Sequence, residues 1–372
     1  MKISDVSLTL FDWPLPKAPL GASSYGSRQS GISQLGLLTI ATDDGVEGHA
    51  FLGSSVHSAD LDGPSLVRHL KPVLIGQNPL ERERLSRAMW QWRSSRLTTS
   101  RAIGAVDVVL WDIVGKVAGL PVHHLLGGCR DRIPAYASSV VLPSPEAYAE
   151  EALRYKQAGW RAYKIHPPQR WRDDIAVCTA VRRAVGDDYD LMLDSMWGYS
   201  FDEAMRVGRA LEELGFRWFE DPLGENDLYN YARLREKLDV PLMATEYPTA
   251  GLDTYAAWIT AKATDILRGD VAVKGGLTTL IKAAHLAEAF GMKLEVHHGA
   301  NSHANLANLH VEMAIANCEF HEVMLPDTFQ KYGLVRDIEV DADGMVHAPQ
   351  GPGLGAEIDF DLIRSRTVTV LR

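Results

Sequence analysis

The sequence predicts an α/β protein, one (β/α) barrel with a smaller α+β domain ahead of it. Three observations lead there. From about Pro134 onward, eight short apolar runs alternate with helical stretches roughly 12–15 residues long, the texture of βα units around a parallel sheet. Seven polar side chains, most of them ionisable, close six consecutive runs at steps of 24 to 30 residues. A chain of 372 residues also accommodates a barrel of about 250 residues with something smaller beside it.

In chain order, Val6 to Leu10 and Leu35 to Ala41 alternate like strands, and Asp44-Gly45 supplies a hairpin turn before Val46-Glu47-Gly48-His49. The Pro-, Gly- and Ser-rich stretch Pro14 to Gly31 reads as a loop. Helical patterns run from about Pro79 to Arg93 and from Arg101 to Gly119, the second with Ile103, Val106, Leu110, Ile113, Val114 and Val117 at helical spacing. The barrel runs are Tyr136–Leu142, Ala162–Ile165, Tyr189–Leu193, Arg217–Phe219, Pro241–Ala244, Ile266–Leu267, Lys293–Val296 and Phe320–Met324. Ser144-Pro145 starts one intervening helix and Gly159 ends it; Ser200 with Glu203 forms a capping box, and Gly215 ends that helix. Thr278 to Phe290 precedes Gly291. The expected units are residues 1–125 for the N-terminal α+β domain, 126–350 for the barrel and 351–372 for a segment that returns to the first domain.

Composition narrows the function. Hydrophobic residues make up 46% and charged residues 23%, values of an ordinary globular chain. A net charge of −10 with no basic run argues against nucleic acid and anionic membranes as partners. No apolar stretch is long enough to span a bilayer. Cys129, Cys178 and Cys318 are far apart and odd in number, which speaks against a disulfide framework or a cysteine zinc site. The N-terminus carries no signal-peptide pattern, and a cytoplasmic location is expected.

The chemistry sits at the run ends. Lys164 and His166 close the second run, Asp194 the third, Glu220 the fourth and Glu246 the fifth; Asp270 follows the sixth and His297 ends the seventh. In a barrel these positions converge on the C-terminal mouth, where barrel active sites lie. Asp194, Glu220 and Glu246 are three carboxylates from adjacent strands. Like charges so close need a cation, and an oxygen-only set suits Mg²⁺ better than Zn²⁺. Asp270 can accept a hydrogen bond from His297 and so fix its tautomer and raise its basicity, making His297 a general acid or base. His298 is the runner-up, although alternation turns it the other way. Lys164 and His166 share one strand face. A neighbouring ammonium would keep His166 neutral as a base; alternatively Lys164 is the base, its pKa depressed by burial and metal.

The blocks Tyr163-Lys164-Ile165-His166, Leu193-Asp194, Trp218-Phe219-Glu220-Asp221-Pro222, Ala244-Thr245-Glu246, Gly269-Asp270-Val271 with Gly275-Gly276-Leu277-Thr278, and Phe290-Gly291 ahead of His297 resemble the enolase superfamily, mandelate racemase subgroup, over nearly the whole chain. That superfamily pairs a Lys or His base with Mg²⁺ that stabilises an enolate. The resemblance implies a (β/α)7β modified TIM barrel with an N-terminal α+β capping domain, and Mg²⁺ on Asp194, Glu220 and Glu246. It implies that Glu322 hydrogen-bonds the substrate carboxylate or enolate oxygen, and that the chain is a homo-oligomer, octamer or dimer, acting on a small-molecule carboxylate. Two features depart from the family pattern: His166 replaces the second lysine of Lys-x-Lys, and Gly299 to His303 is longer than the usual segment before His310.

The expected activity is removal of the proton next to a carboxylate, most simply in a sugar-acid dehydratase that yields a 2-keto-3-deoxy acid. A racemase or epimerase, with His166 or Lys164 opposite His297, and a lactone or anhydro-sugar cycloisomerase are the alternatives within the same chemistry. The Pro14–Gly31 loop and Phe51 to Ala59 would read the distal part of the substrate. Outside it stand a catalytically silent sugar-acid-binding barrel and a zinc hydrolase built on His297, His298 and His303.

Overall fold

The computed structural model describes residues 1–15, 32–95, 97–247 and 251–372. Strands β1 (Ile3–Pro14), β2 (Ile32–Thr42) and β3 (Glu47–Leu52) form an antiparallel meander. The hairpin at Asp44-Gly45 turns through a positive φ of 87° at Gly45, which glycine adopts without a side-chain clash. β1 is longer than the alternation suggested and runs on through Pro14, which pairs with Ile32. A proline is tolerated there because a strand end does not need its missing N–H. Of the expected Pro14–Gly31 loop, residues 16–31 lie outside the described residues.

Eight parallel strands follow: β4 (Arg132–Ser138), β5 (Ala162–Ile165), β6 (Asp190–Asp194), β7 (Trp218–Glu220), β8 (Leu242–Ala244), β9 (Ile266–Gly269), β10 (Lys293–Val296) and β11 (His321–Met324). Among the described residues one helix lies between each consecutive pair, seven in all, the first Pro145–Gln157 and the last Ser302–Ala314. This is the (β/α)7β barrel. β12 (Met345–His347) pairs antiparallel with β4, and β13 (Thr367–Leu371) pairs with β1. The sheet order runs β10-β9-β8-β7-β6-β5-β4-β11. Between β10 and β11 the buried Glu295 carboxylate accepts from the backbone N–H groups of Glu319 (2.9 Å) and Phe320 (3.3 Å), so a side chain stands in for part of the ladder. The expected capping box at Ser200/Glu203 is present, as is the Ser144 cap ahead of Pro145.

Strand alternation sorts the barrel residues. Tyr163, Ile165, Leu191, Leu193, Phe219, Leu242 and Ala244 point outward into an apolar shell under the helices. Tyr136, Ala162, Met192, Trp218, Met243, Ile266 and Phe320 point inward and pack on one another as the barrel floor. One pleat higher, the inward positions are Lys164, Asp194, Glu220 and Arg268, with Glu322 in the same network.

The Ser100–Ala118 helix ties the first sheet to the barrel. Thr99 caps it by accepting from Ala102 N, and most of its length is buried. Its Asp107 accepts from Thr278 N (2.9 Å) at the start of the Leu277–Ala289 helix, and Trp111 Nε1 donates to Thr278 Oγ1 (3.0 Å). Burial pushes the Asp107 carboxyl up to about 6. These contacts hold the first turn of the Ser100–Ala118 helix, with Arg101, over the barrel mouth. Among the described residues, no helix is long and apolar enough to cross a membrane.

Candidate active site

The eight residues singled out from sequence all lie buried at the C-terminal ends of β5 to β11 or just after them. Register brings two of the acids side by side: Asp194 on β6 is the direct partner of Glu220 on β7. Lys164 binds three of the acids at once. Its Nζ donates to Asp194 Oδ2 (3.3 Å) and Glu220 Oε2 (2.9 Å) and lies 2.7 Å from Glu322 Oε1. Burial and the Arg268 charge push the ammonium down, yet Glu220 and Glu322 outweigh them and hold it well above the usual lysine range. Without a cation on those carboxylates, Lys164 stays charged; the expected depression is tied to Mg²⁺ as well as burial.

Arg268, absent from the sequence reading, is the second fixed cation. It is fully buried; its Nη1 donates to Val296 O (3.0 Å), its Nη2 to Glu322, and its Nε sits 2.7 Å from Glu220 Oε1. The run was read as ending at Leu267, but Arg268 lies two residues before Asp270, on the same strand face.

His166 is held at both nitrogens. Nδ1 lies 2.5 Å from Ser139 O, so it carries a proton, and Nε2 lies 2.9 Å from Asp194 Oδ2. His297 meets Asp270 Oδ2 through Nδ1 (2.5 Å), the expected dyad, and Glu246 Oε1 through Nε2 (3.3 Å). Burial lowers the His297 pKa, but Glu246 and Asp270 raise it to about 9. Asp270 is itself fixed by Val273 N (2.6 Å), while Asn308 ties Val271 N to His297 O. A Cβ at Gly299 would stand 2.3 Å from His297 Cε1 and 2.5 Å from Nε2, so the imidazole position requires glycine there.

His298 points away from His297. Its Nε2 pairs with Glu312 (2.6 Å), whose other oxygen takes His321 Nδ1 (2.7 Å), and its backbone N–H donates to Glu322 (3.1 Å). His303 packs against Phe51, and burial pushes it down to about 4. The His297, His298 and His303 zinc set is thus not assembled: His298 is committed to Glu312 and His303 to an apolar wall.

Backbone strain concentrates beside the acids. Met196 and Trp197 (φ 48° and 59°) follow Asp194, Asp221 (43°) follows Glu220, and Thr245 (89°) precedes Glu246. Left-handed non-glycine residues cost on the order of 1–3 kcal/mol each and persist where the surroundings over-determine them. Thr245 has such a surrounding: its hydroxyl both accepts from Arg268 N (2.9 Å) and donates to Arg268 O (3.0 Å).

The donor chemistry suits a hard cation. Six buried carboxyls, Asp194, Glu220, Asp221, Glu246, Asp270 and Glu322, stand against Lys164, Arg268 and Lys274. The surplus shows in the acids. Burial, reinforced by Asp194 and Glu220, pushes Glu246 up to about 7 despite His297 and Arg268. Burial and the charges of Glu246, Asp194 and Glu220 push Asp221 well above the carboxylate range. Glu220 Oε1 is buried and accepts no well-aligned hydrogen bond, although Arg268 Nε lies 2.7 Å away. The tightest gathering of potential ligand atoms among the described residues, within 4.8 Å of one another, is instead His298, Glu312 and His321. In that set Glu312 takes both imidazoles, and His298 Nδ1 is left buried without a partner, whereas Asp194, Glu220 and Glu246 turn their oxygens to Lys164, Arg268 and the two histidines.

A cleft enclosing about 580 Å³, open solvent at its mouth included, borders the dyad. Asp270, His297, Tyr247, Arg101, Phe51 and His57 are among its lining residues.

Comparison with known proteins agrees with this geometry. Residues 147–362 match the enolase C-terminal domain-like family, and residues 6–127 match the mandelate racemase/muconate lactonizing enzyme N-terminal domain. Arabinonate dehydratase of Saccharolobus solfataricus is 31% identical over 86% of this chain and 87% of its own. D-galactarolactone cycloisomerase of Agrobacterium fabrum is 29% identical over 98% of each. The crystal structure of D-glucarate dehydratase from Agrobacterium tumefaciens complexed with magnesium superposes with a TM-score of 0.88 at 36% identity, covering 99% of this chain and 100% of that one. The chain belongs to the enolase superfamily, in its mandelate racemase subgroup. Its relatives there are sugar-acid dehydratases, cycloisomerases and racemases.

Proposed function

We propose that this chain is a Mg²⁺-dependent hydro-lyase that removes the α-proton of a sugar acid and expels its β-hydroxyl, giving a 2-keto-3-deoxy acid. The observation that carries the reading is the sharing of one barrel mouth by two opposed sets, an acidic oxygen face and an imidazole held by a carboxylate. Asp194, Glu220 and Glu246 would hold the metal, which when bound stabilises negative charge developing on the substrate carboxylate. Lys164, kept charged by Glu220 and Glu322, would bind that carboxylate from the other side. Glu322, held ionised by Arg268 and Lys164, has no proton to give the substrate carboxylate, contrary to the hydrogen bond the resemblance implied, and would instead fix those two cations in place.

Proton transfer falls to His297. Of the three candidate bases, Lys164 is occupied by carboxylates and His166 by Ser139 and Asp194, while His297 borders the cleft. The neutral form of His297, the minor one at pH 7 because Glu246 and Asp270 raise its pKa to about 9, takes the α-proton at Nε2 as the C2–H bond breaks. It then returns a proton to the departing β-hydroxyl as the C3–O bond breaks, water leaves, and the enol tautomerises to the 2-keto acid. With His166 engaged at both nitrogens and Lys164 among carboxylates, His297 is the candidate base on the cleft, which favours elimination over racemisation.

The test is a panel of aldonic and aldaric acids incubated with enzyme and Mg²⁺, followed by 2-keto acid detection as semicarbazones. At least one acid should give product. Epimer or lactone without keto acid would replace the hydro-lyase with an isomerase, and no conversion of any acid would contradict the reading.

A further inference from the structure

The mouth is crowded with carboxylates, yet the cleft beside it carries a cation that forms no ion pair with them among the described residues. Arg101 lies in the first turn of the Ser100–Ala118 helix and lines the cleft that reaches His297 and Asp270. It makes no ion pair among the described residues. Its guanidinium lies 5.9 Å from the Tyr247 ring centroid and its charge acts on the Tyr247 phenol. Tyr247 in turn stands edge-on to Trp197 at 5.3 Å and to His297 at 6.4 Å. Arg101, Tyr247, Asp270 and His297 therefore line one and the same cleft.

Two bland roles fail on the geometry. Arg101 makes no ion pair with Asp270, whose oxygens take His297 Nδ1 and Val273 N, although, against burial, its charge adds to theirs in holding that carboxyl below its ordinary range. Nor does an acid of the cap meet Arg101 among the described residues, as Asp62 meets His57 Nε2 at 2.8 Å on the same cleft. A planar guanidinium matches a carboxylate through two parallel N–H donors. A monocarboxylic sugar acid would commit its only charge to the Lys164 end and leave Arg101 unmatched.

We propose that Arg101 receives the second carboxylate of a dicarboxylic sugar acid, so that the substrate class is the aldarates rather than the aldonates. This rests on the reaction proposed above. It goes beyond that reading by naming which acids the site selects and the residue that selects them.

The experiment compares glucarate and galactarate with gluconate and galactonate, chain-matched pairs that differ in the terminal carboxylate. The wild-type chain should favour the diacid in kcat/KM. Arg101→Met should lower the diacid-to-monoacid ratio by about thirty- to hundredfold, mainly through KM, as expected when one partner of a desolvated charge pair is removed. Arg101→Lys, which keeps the charge and loses the fork, should fall between the two. Calorimetric titration with adipate against hexanoate, neither of which can react, gives a readout independent of turnover: adipate should bind the wild-type chain more tightly, and Arg101→Met should erase the difference. Equal use of monoacids and diacids, or a ratio unmoved by Arg101→Met in a variant with wild-type thermal unfolding, overturns the inference and leaves the hydro-lyase standing. Turnover of no acid removes the reaction, and the inference with it.

Discussion

Two layers of the barrel interior lie one pleat apart and are opposite in kind. The floor, from Tyr136 through Met243 to Phe320, is apolar and packs upon itself. The layer above holds Lys164 and Arg268 among Asp194, Glu220 and Glu322, all buried. The same strands supply both: Met192 and Asp194, Trp218 and Glu220, Ile266 and Arg268 are each two residues apart. Stability therefore belongs mainly to the floor and chemistry to the mouth, and Arg268 serves both.

His297→Asn breaks the upper layer at the proton-transfer step. Turnover should fall by about 10²- to 10⁴-fold, the usual contribution of a positioned acid or base, with the melting temperature nearly unchanged. Retained turnover would take His297 out of the mechanism. Arg268→Met tests the layer's double role. It leaves Glu220 and Glu322 short of a buried cation and should cost about 3–5 kcal/mol in denaturant unfolding, together with most of the activity. A variant as stable as the parent would show that Arg268 is not what holds the acids.

Met243→Ala probes the floor alone. Loss of a fully buried methionine should cost about 2–5 kcal/mol while leaving proton transfer intact well below the melting temperature. A large rate loss without a stability loss would mean that the two layers are not separable.

The smallest effect concerns pH. Burial holds His303 at about 4 and His310 at about 3, below the ordinary 6.5. Between those values the unfolded chain binds more protons than the folded one. Stability from these residues is therefore full above about 6.5 and is lost as pH falls toward 4 and below. Calorimetric melting points should drop across that window, and His303→Leu should make the drop shallower.

Much of this was legible in the sequence because the βα period spaces the strand ends evenly and the side chains there are ionisable. Asp194, Glu220, Glu246, Asp270 and His297 were found that way. Three kinds of residue escaped. Arg268 sits inside a strand, where an apolar run hides a charge unless period two is followed through it. Gly299 matters only through its approach to the His297 ring, which no pattern encodes. Arg101 reaches the mouth from another layer, and helical periodicity says nothing about what lies above a helix's first turn. The zinc alternative failed for a related reason: His297 and His298 are adjacent in sequence, but alternation sends them to opposite sides of the strand.

The central claim is that the barrel mouth activates the carbon next to a carboxylate with the help of a divalent cation. Exchange of the α-proton in D₂O, followed by ¹H NMR across a panel of sugar acids with Mg²⁺ and again with EDTA, tests it most directly. Loss of the α-proton signal for at least one acid in the presence of Mg²⁺, abolished by EDTA and by Glu220→Gln, is the predicted result. Absence of exchange for every acid, or exchange indifferent to EDTA, would contradict it.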